Sequence, residues 1–393
     1  MKNNLLLLLV VALGVFSLVS CDGNSNGNES GNIDFHLARV KVSNKYGFID
    51  KTGHFVVNPQ FDDAENFSEG LARVRIGIRI SDRWGYIDKT GHFVVNPQFD
   101  KADDFSEGLA RVCVGNWETG KWGYIDKTGN LVINPQFYGA SNFSEGLARV
   151  CVGDWETNKW GYINKTGNLV VNPQFDDADD FSDGLARVRI GNWETGKWGY
   201  IDKTGNYVVN PQFNDCNDFY EGLAAVEIGG KWGYIDKTGH FVVNPQFDFY
   251  DSFSEGLAAV EVGGKWGYID KTGKFVINLQ FDNVSNFFEG LAAVKVGGKW
   301  GYIDKTGKFV INPQFDDMSI FKEGLTAVKV GDKWGYIDKT GKFVVNPQFD
   351  KAWWFVEGLA MVIVNGKYGF VDKTGNFVAN PQFDEAWFFK KVE

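Results

Sequence analysis

Residues 84–99 read Trp-Gly-Tyr-Ile-Asp-Lys-Thr-Gly-His-Phe-Val-Val-Asn-Pro-Gln-Phe. Two apolar runs flank Asp88-Lys89-Thr90-Gly91, and aspartate first with glycine fourth suits a type I turn followed by a left-handed glycine. The segment therefore predicts a β-hairpin. Pro97 predicts the end of its second strand, because proline cannot donate to a ladder. Both runs are apolar or glycine on both faces, which predicts cover by sheets on either side.

This segment recurs along the chain. The sequence has 9 prolines, and all of them lie in the tetrapeptide Asn-Pro-Gln-Phe. Each unit adds an alternating strand such as Leu71–Ile76 and a linker that predicts one helical turn. Units two to five are longer than the others, and the extra residues lie in one hairpin loop. The units begin at Leu37, Leu71, Leu109, Leu147, Leu185, Leu223, Leu257, Leu291, Leu325 and Leu359.

The repeats predict an all-β fold, a repeat array of about ten three-stranded antiparallel units. Ten blades exceed the usual four to eight of one propeller. A continuous superhelical solenoid is therefore favoured, with two propeller-like rings of five as the alternative. Tyr46 and Tyr368 replace tryptophan in the first and last units, as expected if these units cap an open array.

The N-terminus predicts export. Lys2, an apolar run to Val19 and a cysteine after Leu-Val-Ser resemble a bacterial lipoprotein signal, with Cys21 as the lipidation site. The expected division is a signal peptide at 1–20, a lipidated flexible tether at 21–36 and the ten-unit array at 37–392. The expected location is the bacterial cell envelope, as a lipoprotein anchored to a membrane through its N-terminal lipid, at the outer membrane or cell surface rather than in the cytoplasm.

Three strings carry a resemblance to a known family. Lys-Trp-Gly-Tyr-Ile-Asp-Lys-Thr-Gly at 231–239, Asn-Pro-Gln-Phe at 244–247 and Glu-Gly-Leu-Ala at 255–258 resemble the bacterial WG-repeat, or KWG-repeat, proteins. The resemblance covers all ten units. It implies no catalytic residues for this chain.

Charge and composition exclude several functions. The formal net charge of −10 argues against a nucleic-acid partner. No nucleophile–base constellation or phosphate-binding loop is visible in the sequence, so we predict no enzyme, no cofactor and no metal site. His54, His92 and His240 share a turn position that lysine and asparagine fill elsewhere, which indicates solvent exposure.

Two sets of residues are candidates for ligand binding. The enlarged loops carry Trp117, Trp155 and Trp193, which either contact a ligand or fold back onto neighbouring units. One strand position carries Arg39 in the first unit and then Arg73, Arg111, Arg149 and Arg187, whereas the later units carry alanine or methionine. These arginines either pair with linker carboxylates or form an anion-binding stripe.

The predicted function is a monomeric, lipid-anchored, non-catalytic envelope protein that presents a repetitive β surface to a glycan or protein partner. The alternatives are a purely structural surface spacer and an envelope hydrolase. Cys113 and Cys151 occupy equivalent positions in adjacent units, where an inter-unit disulfide is one alternative.

Overall fold

The computed structural model describes residues 35–77, 82–116, 119–153 and 158–392. One compact unit spans Phe35–Glu393. Across the described ranges the backbone forms strands, turns and bends. No helix in this part of the chain is long and apolar enough to cross a membrane.

The strands form ten sheets, which we call blades 1 to 10 in chain order. Blades 1 to 5 contain β1 (His36–Val42), β2 (Lys45–Ile49) and β3 (Phe55–Phe61); β4 (Asp63–Ala64), β5 (Ala72–Ile76), β6 (Arg83–Ile87) and β7 (Phe93–Phe99); β8 (Lys101–Ala102), β9 (Ala110–Val114), β10 (Lys121–Ile125) and β11 (Leu131–Phe137); β12 (Gly139–Ala140), β13 (Leu147–Val152), β14 (Lys159–Asn164) and β15 (Leu169–Phe175); β16 (Asp177–Ala178), β17 (Leu185–Ile190), β18 (Lys197–Asp202) and β19 (Tyr207–Phe213).

Blades 6 to 10 contain β20 (Asp215–Cys216), β21 (Leu223–Ile228), β22 (Lys231–Asp236) and β23 (Phe241–Phe247); β24 (Phe249–Tyr250), β25 (Leu257–Val262), β26 (Lys265–Asp270) and β27 (Phe275–Phe281); β28 (Asn283–Val284), β29 (Leu291–Val296), β30 (Lys299–Asp304) and β31 (Phe309–Phe315); β32 (Asp317–Met318), β33 (Leu325–Val330), β34 (Lys333–Asp338) and β35 (Phe343–Phe349); β36 (Lys351–Val356), β37 (Leu359–Val364), β38 (Lys367–Asp372) and β39 (Phe377–Phe383). The last two strands are β40 (Glu385–Ala386) and β41 (Lys390–Lys391).

Blades 2 to 10 are antiparallel sheets of four strands, and blade 1 has five with β40 and β41, so the prediction of three strands per unit is wrong. The fourth strand comes from the linker that was expected to form a helical turn. In blade 2, for example, Asp63 pairs with Arg75 and Ala64 with Val74. A strand of two residues has too few side chains to show an alternating pattern, which is why the sequence does not reveal it.

A tight turn follows the short strand. Ser68 and Leu71 exchange two backbone hydrogen bonds, at 2.8 and 3.1 Å. The two residues between them, Glu69 and Gly70, both have positive φ, of 50° and 86°. Positive φ at both central positions is the geometry of the two-residue turns that match strand twist. This turn reverses the chain into β5.

Proline lies inside the last strand of each unit that carries it, and does not end that strand as predicted. In blade 2, Trp84 pairs with Phe99 and Tyr86 with Val95, so Asn96, Pro97 and Gln98 bulge opposite Gly85. The bulge frees the proline from the ladder bond that it could not donate. A Cβ on Gly85 would lie 2.5 Å from the Val95 carbonyl oxygen, so the bulged strand requires glycine there.

The chain closes into a ring. Strand β40, at the C-terminus, pairs with β1 at the start of the array: Val40 lies opposite Ala386 and Lys41 opposite Glu385. Strand β41 pairs with the other end of β1. The fold is therefore a single ten-bladed β-propeller. The predictions of an open superhelical solenoid and of capping end units are wrong, and so is the alternative of two rings of five. Closure pairs the edges of the first and last units and covers their apolar faces, which an open array would leave in water.

The core lies between blades. Between blades 2 and 3, Tyr86 and Phe99 pack against Phe105 and Val112 of the next blade. The Tyr86 hydroxyl also donates to the Asp103 carbonyl oxygen at 2.7 Å. The equivalent contact across the seam joins Val40 to blade 10. Tyrosine, rather than the tryptophan that the sequence emphasises, is fully buried in blades 2 to 9, and Phe48 and Phe370 take its place in blades 1 and 10.

The outer faces differ from the prediction. The last strand of each hairpin was expected to be covered on both sides, but in β7 both Phe93 and Val94 are exposed.

Cys113, Cys151 and Cys216 are buried and free, so the disulfide alternative is wrong.

Candidate functional site

The hairpin loops of blades 3 and 5 are held by asparagine. In blade 5, the Asn192 side-chain oxygen accepts hydrogen bonds from the Thr195 backbone N–H at 2.8 Å and from the Thr195 hydroxyl at 2.9 Å. Asn116 makes the same two bonds to Thr119 in blade 3. In blade 5 these bonds fix the loop from within, so its remaining side chains are free to face solvent.

Trp193 lies at the tip of the blade 5 loop and is 81% exposed. This tryptophan does not fold back onto a neighbouring blade, which was one of the two alternatives for the loop residues. Trp117 and Trp155 lie outside the described residues. Because large apolar side chains at this exposure cost free energy unless they meet a partner, Trp193 is the strongest single candidate for ligand contact.

The predicted arginine row exists and lies at the blade interfaces. From each of blades 1 to 5, one guanidinium reaches the next blade and donates to a backbone carbonyl there. The donor–acceptor pairs are Arg39 and Ala64, Arg73 and Ala102, Arg111 and Ala140, Arg149 and Ala178, and Arg187 and Cys216. The row therefore joins neighbouring blades.

Linker carboxylates surround these guanidinium groups. Arg73 lies 3.1 Å from both Asp103 and Asp104, and Arg187 lies 2.6 Å from Asp179. Burial raises the pKa of Asp104, and the nearby Arg73 guanidinium opposes that rise. An incoming anion would have to displace these carboxylates, and ligand binding by Arg73, Arg111, Arg149 and Arg187 stays a prediction.

Each arginine also lies over an aromatic ring of its own blade. The distance from the guanidinium carbon to the ring centroid is 5.1 Å for Arg73 over Trp84 and 4.6 Å for Arg111 over Trp122. A cation at this distance from a tryptophan face is attracted by the ring quadrupole. The tryptophan of the repeat therefore lines one side of the space that the arginine side chain occupies.

Two cavities open at blade interfaces. One, of ≈ 350 Å³, lies among Arg149, Arg187 and the carboxylates Asp179, Asp180 and Asp218. The other, of ≈ 450 Å³, lies between blades 9 and 10, where Trp334, Trp353 and Trp354 line it together with charged side chains. The sequence analysis missed the second cavity. Ala327 and Ala352 leave both sides of that interface small, but the sequence alone does not show that these two residues meet.

The histidines of the repeat turns each lie beside a threonine. His54, His92 and His240 are exposed, and each ring lies within 2.7 Å of a threonine hydroxyl in its own turn. Over the ranges that the structure describes, no group of three or more histidine, cysteine, aspartate or glutamate side chains could hold a metal ion.

Comparison with known proteins gives a family and distant structural matches. A family model described as "WG containing repeat" matches residues 46–77, 84–116, 122–154, 160–192, 198–232, 232–266, 266–300, 300–334, 334–368 and 368–391. No curated protein sequence matches the chain.

Three solved structures are similar to this chain at a distance. The tricorn protease is 12% identical with a TM-score of 0.25 over 88% of this chain, which spans only 44% of the protease. Hsv2p of Kluyveromyces lactis is 10% identical with a TM-score of 0.33 over 51% of this chain and 74% of its own. The extracellular domain of a hybrid two-component system from B. thetaiotaomicron is 10% identical with a TM-score of 0.28 over 90% of this chain and 66% of its own.

Proposed function

The chain belongs to the WG-repeat family, and on that premise we propose that it is a non-catalytic binding protein of the bacterial envelope. The observation that carries the proposal is the exposure of Trp193 on a loop whose backbone is fixed by Asn192. An exposed aromatic side chain on a hydrogen-bonded loop gives a large contact area at a low cost in conformational entropy.

Trp117 and Trp155 hold the equivalent sequence positions in blades 3 and 4, and we propose that they contribute to the same binding surface. Blades 3 and 4 pack on one another, as do blades 4 and 5, so the three sequence positions belong to consecutive blades. Three tryptophans at regular spacing suit a polymer with repeated units, such as an envelope glycan, or an extended protein segment. Several weak contacts along one polymer add up to a higher avidity than any single contact provides.

The test compares capture of purified envelope polysaccharide and of solubilised envelope protein by two variants. Changing Trp117, Trp155 and Trp193 together to alanine should abolish capture without lowering the unfolding temperature. The matched control is Phe249→Ala, which removes a 62%-exposed aromatic residue outside these loops and should leave capture unchanged. Unchanged capture by the triple variant would refute the assignment of the binding surface.

Membrane attachment is a separate proposal. We infer that Cys21 carries the lipid that holds the protein at a membrane, because it follows an apolar leader and Leu-Val-Ser. Residue 21 lies outside the described residues. In cell fractions, Cys21→Ser should move the protein from the membrane pellet to the soluble fraction, and retention in the pellet would contradict the proposal.

A further inference from the structure

The interfaces between blades follow one rule with one exception. A position on the second strand of each blade faces a position on the short strand of the next blade, and where one residue is large the other is small. The exception lies between blades 9 and 10, where both are alanine. The pairs are Arg39 and Ala64, Arg73 and Ala102, Arg111 and Ala140, Arg149 and Ala178, Arg187 and Cys216, Ala225 and Tyr250, Ala259 and Val284, Ala293 and Met318, Ala327 and Ala352, and Met361 and Ala386.

A cavity of ≈ 450 Å³ opens at this exception. Its lining includes five residues whose equivalents in blades 2 and 3 are the groups around the Arg73 guanidinium. Ser319, Trp334, Ala352, Trp353 and Trp354 line the cavity. Their respective equivalents are Glu65, Trp84, Ala102, Asp103 and Asp104, all of which contact Arg73. The cavity therefore coincides with the place that an arginine side chain fills elsewhere in the ring.

We propose that this cavity binds a guanidinium group, presented as an arginine side chain by a partner peptide. Two of the features that hold the guanidinium in blades 1 to 5 are retained. Trp334 supplies the aromatic wall, and Ala352 pairs with Val362 in the same register as Ala102 with Val112, which places an equivalent backbone carbonyl at the site. A planar cation that donates N–H bonds satisfies both.

The lining residues between blades 9 and 10 differ from those around Arg73. In place of an internal ion pair, they leave a pocket that a ligand can enter. Three carboxylates around Arg73 are replaced by Ser319, Trp353 and Trp354, so aromatic faces take over much of the attraction for the cation. Trp354 is itself fixed by stacking on Phe388 at a centroid distance of 5.2 Å. Asp317 and Asp350 also line the cavity and supply negative charge.

Two lysines in the lining, Lys329 and Lys351, would be expected to repel a cation. The interface between blades 2 and 3 has Arg75 and Lys101 at the equivalent positions, and it still holds Arg73. The Arg75 guanidinium carbon lies 5.6 Å from the same Trp84 ring that Arg73 contacts. Asp63 pairs with Arg75 there at 3.2 Å, and Asp317 lies opposite Lys329 in the ladder of blade 9, so a carboxylate accompanies this lysine as well.

The test is an NMR titration of the full chain, followed through its tryptophan indole N–H signals. The probe is Nα-acetyl-L-arginine amide, and the control ligand is the citrulline analogue, which has the same shape but no charge. We expect the arginine probe to shift the Trp334 signal and to bind at least ~10-fold more tightly than the citrulline probe, because cation–π attraction requires the charge.

Two variants fill the cavity by different means. Ala327→Arg supplies the guanidinium from the chain itself, and Ala352→Tyr copies Tyr250, whose ring lies 4.1 Å from Trp232 in the equivalent interface. Either change should abolish binding of the arginine probe. If Ala327→Arg fails to fold, the titration of Ala352→Tyr provides the test. Lys342→Arg is the control, since it adds a guanidinium at an exposed turn.

Three results would overturn the proposal: equal affinity for the arginine and citrulline probes, arginine binding that survives in a folded cavity-filling variant, or preferential binding of a neutral saccharide such as N-acetylglucosamine at Trp334. Loss of capture in the triple loop variant has no bearing on this titration. The cavity proposal and the proposed function can therefore fail separately.

Discussion

Val40 and Ala386 lie opposite each other in one antiparallel ladder, although they come from the two ends of the array. Next to them the Lys41 ammonium group contacts the Glu385 carboxylate at 2.9 Å. The first blade is thus completed by the last strands of the chain. The ring is closed at this seam by hydrogen bonds and packing, so its integrity depends on this ladder and on the apolar contacts beneath it.

Removing the C-terminal strands should open the ring. Truncation after Asp384 deletes Ala386, Phe389 and Val392, all buried at the seam. Loss of one buried phenylalanine alone costs about 3–5 kcal/mol, so we expect a lower urea midpoint and a broader transition by circular dichroism. Deletion of Glu393 alone is the control. An unchanged midpoint after the larger truncation would show that the seam does not hold the ring.

Each blade interface except that between blades 9 and 10 pairs one large residue with one small one. A second substitution that restores this pairing should therefore recover stability lost through the first. Arg111→Ala removes the bond to the Ala140 carbonyl and the partner of Asp103, and should cost about 2–3 kcal/mol of unfolding free energy. Adding Ala140→Tyr copies the pairing of Ala225 with Tyr250 and should recover part of that loss.

Chemical denaturation of the two single variants and the double variant measures the coupling. Ala140→Tyr alone should be destabilising, because the tyrosine and Arg111 would compete for one space. Simple additivity of the two single changes would contradict the rule.

Gly123 and Gly146 are needed for different reasons. At Gly123 a side chain would clash with its neighbours, whereas at Gly146 the backbone conformation disfavours any other residue. A Cβ on Gly123 would lie 2.5 Å from the Ile133 carbonyl oxygen and 2.6 Å from the Pro135 nitrogen, whereas one on Gly146 would meet no atom within 4 Å. Gly146 instead has a φ of +86°. Gly123→Ala should therefore cost about 3 kcal/mol or more through overpacking, and Gly146→Ala about 1–2 kcal/mol through strain.

Thermal unfolding of both glycine variants gives this comparison directly. Equal losses, or a larger loss for Gly146→Ala, would mean that the bulged strand yields easily to the added methyl group.

Acid should destabilise the protein through its turn and strand-end aspartates. A hydrogen bond from the Thr238 hydroxyl lowers the pKa of Asp236, and one from Lys231 lowers the pKa of Asp248. A carboxyl whose folded pKa lies below its unfolded value contributes stability above pH ~4, and that contribution is lost as the pH falls through the folded pKa. The unfolding temperature should thus be flat near neutral pH and fall below pH ~4.

The effect of pH on stability through Asp104 is opposite to that of the turn aspartates, because burial raises the pKa of Asp104. Its stabilising contribution is present below the unfolded pKa and is lost as the pH rises through the folded pKa.

An NMR titration should place the pKa of Asp236 below its usual value, and Thr238→Val should move that pKa back up. A pKa for Asp236 that does not respond to this change would show that the threonine hydroxyl is not what lowers it.

The sequence predicts the local geometry well and the closure badly. The Asp-Lys-Thr-Gly hairpin is confirmed, since Gly91 has a φ of +88° and its N–H donates to the Asp88 carbonyl at 3.0 Å. These features depend on neighbouring residues, which a repeat displays many times. Whether ten units close depends on a small angle between blades, accumulated around the ring, and no single residue encodes it.

The same limit applies to the candidate sites. Trp193 could be placed on an exposed loop because an insertion confined to one position marks a surface hairpin. The cavity beside Trp334 could not be placed, because Ala327 and Ala352 lie far apart in the sequence and meet only when consecutive blades stack. An absence of side-chain volume becomes visible only once the neighbour is known.

The noncovalent seam makes the position of the chain ends arbitrary. Strand β1 already receives partners from a distant part of the chain, so any Lys-Thr-Gly turn could hold new ends if the old ones were joined by a short linker. Circularly permuted versions should fold to the same ring, and they would let the binding loops be presented at any chosen angle to an attachment point.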